Sequence, residues 1–151
     1  MATGGTWIDV GPMGGNGGNA NDMKVSADRI VKMDFNYDTV VYGFTMTYET
    51  HGNQQSKYFG GTKHGRSNKE ITLATDEYIN SLSGYFSQKY YGHTVIVQLT
   101  LTTNKGQKLE IGNPQGSNFT LSMDDNGKIL GFFGRTGEVL DAIGARCYIT
   151  Y

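Results

Sequence analysis

The sequence has few residues that form cross-links or interrupt secondary structure, with one cysteine and two prolines among 151 residues. A single cysteine excludes an intramolecular disulfide framework and is typical of a reducing compartment. Charge is nearly balanced, with 13 basic and 14 acidic residues, so phosphate neutralisation cannot drive nucleic acid binding. No apolar run is long enough to span a bilayer, and no basic cluster predicts a membrane anchor. We therefore expect no nucleic acid partner and no membrane insertion.

The beginning of the chain also lacks a targeting signal. Its first residues, Met-Ala-Thr-Gly-Gly-Thr-Trp, have neither the basic start nor the apolar stretch of a secretory signal. With the lone Cys147, this predicts a cytoplasmic protein. The length and the absence of a linker composition predict a single domain over residues 1–151.

Glycine is abundant, at 22 residues, which is roughly twice the usual share. Three segments alternate apolar and polar residues, as strands with one buried face do. Their apolar positions are Tyr42, Phe44, Met46 and Tyr48, then Val95, Val97, Leu99 and Leu101, and finally Ile143, Ala145, Cys147 and Ile149. The segments recur about every 50 residues, and glycine clusters precede each of them at a similar spacing. This pattern predicts an all-β domain with a threefold internal repeat whose units share one core.

Two turns and one ambiguous segment complete the secondary structure prediction. Asp125-Asn126-Gly127 predicts a hairpin, because Asn-Gly suits the positive φ angles of a type I′ turn. A second turn is expected at Asn104-Lys105-Gly106. Residues 76–90 fit a helix as well as a strand, because Ile79, Leu82 and Phe86 could form a helical stripe.

No metal site or cofactor is predicted. His51, His64 and His93 lie near different strands without the spacing of metal ligands. Asp124-Asp125-Asn126-Gly127 lacks the remaining ligands of a calcium loop. Cys147 alternates with core residues, so we expect a buried hydrophobic side chain there and no nucleophile.

Two glycine-rich segments are candidates for ligand binding. Gly14–Gly18 lets backbone amides approach a ligand closely, although a flexible stretch or tight turn has the same composition. In Gly134–Asp141, a tight turn would place outward-facing amides beside a carboxylate. Amide donors beside an acceptor suit vicinal sugar hydroxyls, whereas a plain hairpin would use Asp141 to cap its own turn.

Together these segments resemble the jacalin-related lectin family. The glycine loop Gly14–Gly18 and the segment Gly131–Gly144, which reads GFFGRTGEVLDAIG, carry the resemblance, which extends over essentially the whole chain. It is mainly a resemblance to plant proteins. It implies a β-prism fold, with three four-stranded Greek-key sheets around a pseudo-threefold axis. It also implies strands for residues 76–90, against their helical stripe.

The resemblance also implies a sugar site with four named residues. The amide of Gly18 would bind a ring hydroxyl, the amides of Glu138 and Val139 would bind the far side of the ring, and Asp141 would accept from two hydroxyls. The chain runs unbroken through its glycine loop, and its turn has no aromatic residue. Both features resemble the branch of the family that prefers mannose or glucose.

A second sugar site is conceivable in the first repeat. Its turn, Asp34-Phe35-Asn36-Tyr37-Asp38, keeps an aspartate but has Asp34 where the family has glycine. The loop that would accompany it, Gly60–His64, ends in a histidine where glycine is expected. The candidate residues are Phe35, Asn36, Asp38 and His64. In the middle repeat the corresponding segment, Gly92-His93-Thr94-Val95-Ile96, has no aspartate, so no site is expected there.

These observations predict a non-catalytic lectin for glycans and glycoproteins that contain mannose or glucose. Homodimers or higher homo-oligomers would present several weak sites together. The alternative is a protein-interaction scaffold with a vestigial sugar site. A glycosidase would need two carboxylates, one with a raised pKa, and an exposed turn with Glu138 and Asp141 offers no reason for such a shift.

Overall fold

Twelve β-strands form the regular structure of residues 4–123 and 126–150, which are the residues that the computed structural model describes. The strands are β1 (Gly5–Gly14), β2 (Asn19–Asp22), β3 (Arg29–Tyr37), β4 (Val41–Thr50), β5 (Asn53–Gly60), β6 (Ser67–Thr72), β7 (Ile79–Tyr90), β8 (His93–Thr103), β9 (Lys108–Gly112), β10 (Ser117–Ser122), β11 (Gly127–Thr136) and β12 (Leu140–Thr150). No helix occurs in these two ranges, so the all-β prediction is confirmed.

The strands pair into a four-stranded and an eight-stranded sheet. The smaller sheet has the order β5-β4-β3-β6. The larger has the order β1-β12-β11-β7-β8-β9, with β10 on the free side of β7 and β2 on β11. Among the described residues, its two halves pair at one position, where Ile79 of β7 faces Ile129 of β11. All of these pairs are antiparallel, so each strand can present one face to the core.

The alternating segments supply the core, as their pattern predicts. Met46 of β4, Leu99 of β8 and Ala145 of β12 are fully buried. Phe44 lies at the centre, with its ring 5.1 Å from Phe132 of β11 between centroids. The polar positions between the apolar ones face outward in most of β4. Burial of these apolar faces therefore holds the sheets together.

Cys147 is also in the core, as its alternation predicts. Its side chain is fully buried in the main cluster of apolar residues. Burial raises the pKa of the Cys147 thiol to about 11, because a thiolate would lose its hydration there. The thiol is therefore neutral at physiological pH.

The helical stripe in residues 76–90 belongs to strand β7, so the strand prediction is confirmed and the helical alternative is wrong. An irregularity in the β7–β8 register between Ile79 and Ser81 inserts one extra residue into β7. A bulge of this kind puts Ile79 and Leu82 on the same face although they are three positions apart. The bulge therefore produces a helix-like spacing of apolar residues within a strand.

The turn at residues 104–106 is confirmed, since the Gly106 amide donates to the Thr103 carbonyl over 3.0 Å. The expected hairpin includes Asp125, and the rejected calcium loop includes Asp124 and Asp125; both of these residues lie outside the described residues. Within the described ranges there is no helix with the length and hydropathy that crossing a membrane requires.

Candidate functional site

The glycine loop and the last turn, far apart in sequence, meet at Asp141. The Gly15 amide donates to the Asp141 carbonyl over 2.9 Å. Gly17 and Gly18 lie over the carboxylate so closely that a methyl group on Gly17 would come within 2.7 Å of Oδ2. Gly18 has a φ of 64°, a conformation that glycine adopts without strain. Both features explain why this loop requires glycine.

A cavity of about 270 Å³ lies between the loop and the turn. Its lining residues are Gly17, Gly18, Tyr90, His93, Gly137, Glu138, Val139 and Asp141. The four residues of the expected sugar site are therefore together in one cavity. Tyr90 and His93 are additions from strands β7 and β8.

The β11–β12 turn is closed by its own backbone. The Gly137 amide donates to the Val139 carbonyl over 3.1 Å, within a hairpin that pairs Thr136 with Leu140. The side chain of Val139 is buried with Val95 and Val97, and Leu140 is fully buried. The turn therefore has a fixed shape, and Val139 offers the cavity little besides its backbone.

Asp141 is a buried acceptor without a donor. Only 6% of the residue is exposed, and its Oδ1 has no hydrogen-bond partner within the described part of the chain. Burial raises the pKa of Asp141, because the charged form is poorly hydrated, while the charges of Arg135 and His93 oppose that rise. A ligand hydroxyl that donates to Oδ1 would satisfy this group.

Arg135 fixes the glycine loop by hydrogen bonds, a role that the sequence did not reveal. Its Nε donates to the Gly17 carbonyl over 3.0 Å, and its Nη2 donates to the Gly18 carbonyl over 3.1 Å. One guanidinium thus holds two consecutive peptide groups. Both carbonyls point to Arg135, so the loop keeps one orientation above Asp141.

Tyr90 is the second residue that sequence reasoning missed. Its hydroxyl donates to Glu138 Oε1 over 2.8 Å, and this bond raises the pKa of Tyr90 to about 12. The side chain of Glu138 is therefore held against strand β7. In the sequence, the adjacent Tyr90 and Tyr91 lie 48 positions before Glu138, so no local motif indicates this contact.

The second glycine loop supports the first site and has a different role from the expected one. The Thr62 amide donates to the Gly137 carbonyl, and the Lys63 amide donates to the Glu138 carbonyl, each over 3.0 Å. Gly61 packs on the same turn, and a methyl group there would lie 2.1 Å from the Glu138 carbonyl oxygen. The loop of the first repeat therefore holds the turn of the third.

The strand register corrects the alignment of the first repeat with the last one, on which the prediction of the second sugar site depends. In β11–β12, Arg135 faces Ala142 and Thr136 faces Leu140. In β3–β4, Asn36 faces Gly43 and Tyr37 faces Val41, with the same irregularity at the turn. Asp38 therefore corresponds to Gly137, and its amide donates to Val40 as that of Gly137 donates to Val139. The residue that corresponds to Asp141 is Tyr42.

The other candidates for that second site have structural roles. The side chain of Phe35 is in the core, with 1% exposure. The Asn36 amide group donates to the Gly65 carbonyl and accepts from the Gly65 amide, which closes the second loop. His64 lies beside the ring of Tyr58, 6.0 Å away between centroids. These contacts and the register do not support a sugar site with Asp38 as its acid, and the second site stays a prediction.

In the described ranges, no three His, Cys, Asp or Glu side chains are grouped as metal ligands would be. The main cavity combines the backbone of the glycine loop and of the last turn with the carboxylate of Asp141. Such an arrangement suits a small polyhydroxylated ligand.

Comparisons with known proteins agree with this geometry. The profile of the Jacalin-like lectin domain matches residues 10–146. Horcolin of Hordeum vulgare is 35% identical over 146 residues, which cover 95% of this chain and 97% of horcolin. The solved structure of Malaysian banana lectin has a TM-score of 0.84 and 37% identity, covering 94% of this chain and 98% of that chain. Artocarpin complexed with methyl-α-mannose has a TM-score of 0.81 and 34% identity, covering 93% and 96%.

Proposed function

This chain belongs to the jacalin-like lectin family, and from that membership we propose that it binds mannose- and glucose-type sugars between Gly18 and Asp141. The observation that carries the proposal is the buried Oδ1 of Asp141 at the floor of the cavity, which has no donor among the described residues. Artocarpin, which shares the fold, is described in complex with methyl-α-mannose. Carbohydrate binding is thus the family property, and the residues named here are our proposal for its location.

In this proposal the backbone provides most of the contacts. The amide of Gly18 binds one hydroxyl, and the amides of Glu138 and Val139 bind the opposite side of the ring. Asp141 accepts from two hydroxyls with its two oxygens. The arrangement requires no catalytic group, and the family is one of lectins.

Binding of one ring is expected to be weak. Each hydrogen bond exchanges with water, so its net contribution is about 0.5–1.5 kcal/mol, or about 1.5–3 kcal/mol when the acceptor is charged. A dissociation constant of about 1 mM corresponds to about 4 kcal/mol. Useful affinity for a glycoprotein therefore requires several sites on one assembly.

Calorimetric titration with methyl α-mannoside tests the proposal. The wild type should give a saturable signal, and Asp141→Asn should weaken binding by about tenfold or more, because a charged acceptor is lost. Glu70→Gln removes an exposed carboxylate outside the cavity and should leave binding unchanged. Absence of heat with mannoside, glucoside and galactoside would refute the sugar assignment and favour the protein-interaction scaffold.

We also propose that the whole chain is one β-prism domain. The four-stranded sheet has the order β6-β3-β4-β5, in which the fourth strand returns beside the first, as in a Greek key. The halves of the larger sheet have the equivalent orders β10-β7-β8-β9 and β2-β11-β12-β1. The single Ile79–Ile129 pair between those halves is consistent with three separate sheets of four strands.

A homodimer through strand β1 is the assembly we propose. β1 is an edge of the larger sheet and pairs with β12 on one side. Trp7 and Ile8 are large apolar residues of this strand, exposed by 43% and 36%. A second copy of the same edge can pair with it about a two-fold axis, because antiparallel pairing is self-complementary.

A further inference from the structure

A second concavity, outside the proposed sugar site, carries an excess of positive charge. It is a groove of about 800 Å³ beside strands β2 and β11. Its lining residues are Pro12, Ala20, Asn21, Asp22, Lys24, Lys57, Phe133, Gly134 and Arg135. None of them lines the cavity at Asp141. We call this surface the basic groove.

The one acidic residue of the basic groove is already paired. Asp22 Oδ2 lies 2.8 Å from Arg146 Nη2, and this contact lowers the pKa of Asp22. By contrast, Lys24, Lys57 and Arg135 form no salt bridge within residues 4–123 and 126–150. Three cationic side chains therefore line one groove, and none of them is in salt-bridge contact with a carboxylate of the described residues.

The ammonium group of Lys57 is anchored beside the backbone of Lys24. Lys57 Nζ donates to the carbonyl of Met23, the residue directly before Lys24. The Lys24 amide donates to Asp22 Oδ1 over 2.7 Å, and Lys24 has a φ of 57°. A positive φ is unfavourable for lysine, so the backbone is strained at a residue that contributes charge to the groove.

We propose that the basic groove binds an oxyanion of the phosphate or sulfate class. Lysine ammonium groups act as point charges and accept a tetrahedral oxyanion from many directions. A planar carboxylate would prefer a free guanidinium fork, whereas Arg135 already uses Nε and Nη2 on the glycine loop. Pro12 and Phe133 add apolar surface that can contact the organic carrier of such an anion. The groove is an addition to the proposed sugar site and does not depend on it.

Titration with sodium sulfate at constant ionic strength, followed by backbone amide chemical shifts, tests this site. The wild type should show saturable shifts in β2 and in residues 24 and 57, with sodium chloride as the comparison. Lys24→Asn, which suits the positive φ, and Lys57→Gln should each weaken sulfate binding by about fivefold. Lys89→Gln removes an exposed lysine outside the groove and should have no effect.

Two results would overturn the proposal. One is an absence of saturation, with sulfate and chloride giving the same shifts. The other is an equal loss in all three lysine variants, which would show a general effect of net charge. Titration of the same variants with methyl α-mannoside distinguishes the two sites. Sulfate binding can persist where mannoside binding is absent, and mannoside binding can persist where sulfate binding is absent.

Three further probes identify the source of the anion: inorganic phosphate, mannose 6-phosphate, and phosphatidylglycerol vesicles compared with phosphatidylcholine vesicles. Binding of mannose 6-phosphate that is tighter than that of phosphate, and that persists in Asp141→Asn, supports a phosphorylated glycan in the groove. Selective binding of the anionic vesicles supports a lipid headgroup. Equal affinity for all phosphate-bearing probes supports the free ion, and failure of all of them contradicts the proposal.

Discussion

The amide of Thr62 donates a hydrogen bond to the carbonyl of Gly137 over 3.0 Å, so the loop of the first repeat holds the turn of the third. Lys63 makes the same contact with Glu138. Neither Thr62 nor Lys63 lines the cavity at Asp141. The shape of the proposed sugar site therefore depends on residues that no ligand touches.

Gly61→Ala should weaken sugar binding through this support. Its new methyl group would lie 2.1 Å from the Glu138 carbonyl oxygen, so the turn must move. We expect a loss of about 1–3 kcal/mol in the free energy of unfolding, as for other overpacked sites. Calorimetry should show methyl α-mannoside affinity reduced by about tenfold, because the amides of Glu138 and Val139 are displaced.

Gly106→Ala is the matched control. Gly106 has a φ of 84° and no neighbour within 4 Å of a new methyl group. The substitution should cost about 1–2 kcal/mol of stability through backbone strain alone. Mannoside affinity should stay at the wild-type value. If both variants lose affinity in proportion to their stability, loop 61–63 has no specific role in the site.

Asp141→Asn should make the folded protein more stable at neutral pH while it removes binding. Burial raises the pKa of Asp141, so the folded protein holds that proton more tightly than the unfolded chain. The stability that this group contributes is present below its unfolded pKa and is lost as pH rises through its folded pKa. At pH 7 the charged carboxylate therefore destabilises the fold, and a neutral amide relieves that cost.

Thermal unfolding of wild type and Asp141→Asn from pH 3 to pH 8 measures this effect. The melting temperature of the variant should exceed that of the wild type at pH 7, and the difference should vanish toward pH 3. A lower melting temperature of Asp141→Asn at every pH would show that the carboxylate stabilises the fold. Asp141 could then no longer be interpreted as an acceptor that destabilises the fold and is retained to bind a ligand.

The fold was predictable because alternating apolar and polar residues indicate a strand with one buried face. Phe44 and Met46 of β4, and Ala145 of β12, are in the core as their spacing requires. Register was not predictable: Tyr37 pairs with Val41 as Thr136 pairs with Leu140, so Asp38 takes the place of Gly137 and not that of Asp141. A Gly-x-x-x-Asp count cannot detect such a shift, since it depends on which residues pair across the hairpin.

The site was predictable only where a local motif carries it. Asp141 and its turn form one continuous segment, whereas Arg135 acts on Gly17, which is 118 positions away. Tyr90 reaches Glu138 across 48 positions. Contacts of this kind depend on how the hairpins meet at one end of the molecule, and no spacing rule within one segment encodes them.

Arg135→Gln should shift the pH range of sugar binding as well as the affinity. Arg135 orients the carbonyls of Gly17 and Gly18, and its charge also lowers the pKa of Asp141. Without that charge, Asp141 takes up its proton at a higher pH, so the acidic limit of binding should move upward. Loss of the two donors should weaken mannoside affinity by about tenfold at pH 7.

Arg135→Lys separates the two effects. The lysine restores the positive charge, so the acidic limit of mannoside binding should return toward that of the wild type. Affinity should recover only in part, because an ammonium lacks the fork that spans two carbonyls. Titrations with methyl α-mannoside between pH 4 and pH 8 give both quantities. An unchanged acidic limit in Arg135→Gln would contradict the electrostatic role.

Tyr90→Phe should leave the affinity for a single mannoside ring nearly unchanged. The Tyr90 hydroxyl bonds to the Glu138 side chain, whereas the proposed ligand contact is the Glu138 backbone amide. Because this exposed hydrogen bond joins two side chains and no proposed ligand contact, the change in Kd should stay within about threefold. Spectrophotometric titration should also lose a phenol with a pKa of about 12. A loss of binding as large as in Asp141→Asn would place the Glu138 side chain in the sugar site.

Replacing Ile8 by lysine should separate the proposed dimer without affecting the sugar site. Ile8 lies on the exposed edge strand β1, and charges on an edge prevent pairing with a second copy. Analytical ultracentrifugation should then show a monomer, and agglutination of mannose-coated particles should be lost because each molecule has one site.

Asp9 is also exposed but pairs with Arg146, so Thr6→Lys on the same strand, at a half-buried position, is the better second variant. The calorimetric Kd for methyl α-mannoside should match that of the wild type in both variants. If agglutination persists in a monomer, a second sugar site must exist elsewhere on the chain, whereas an unchanged dimer would assign the interface to another surface.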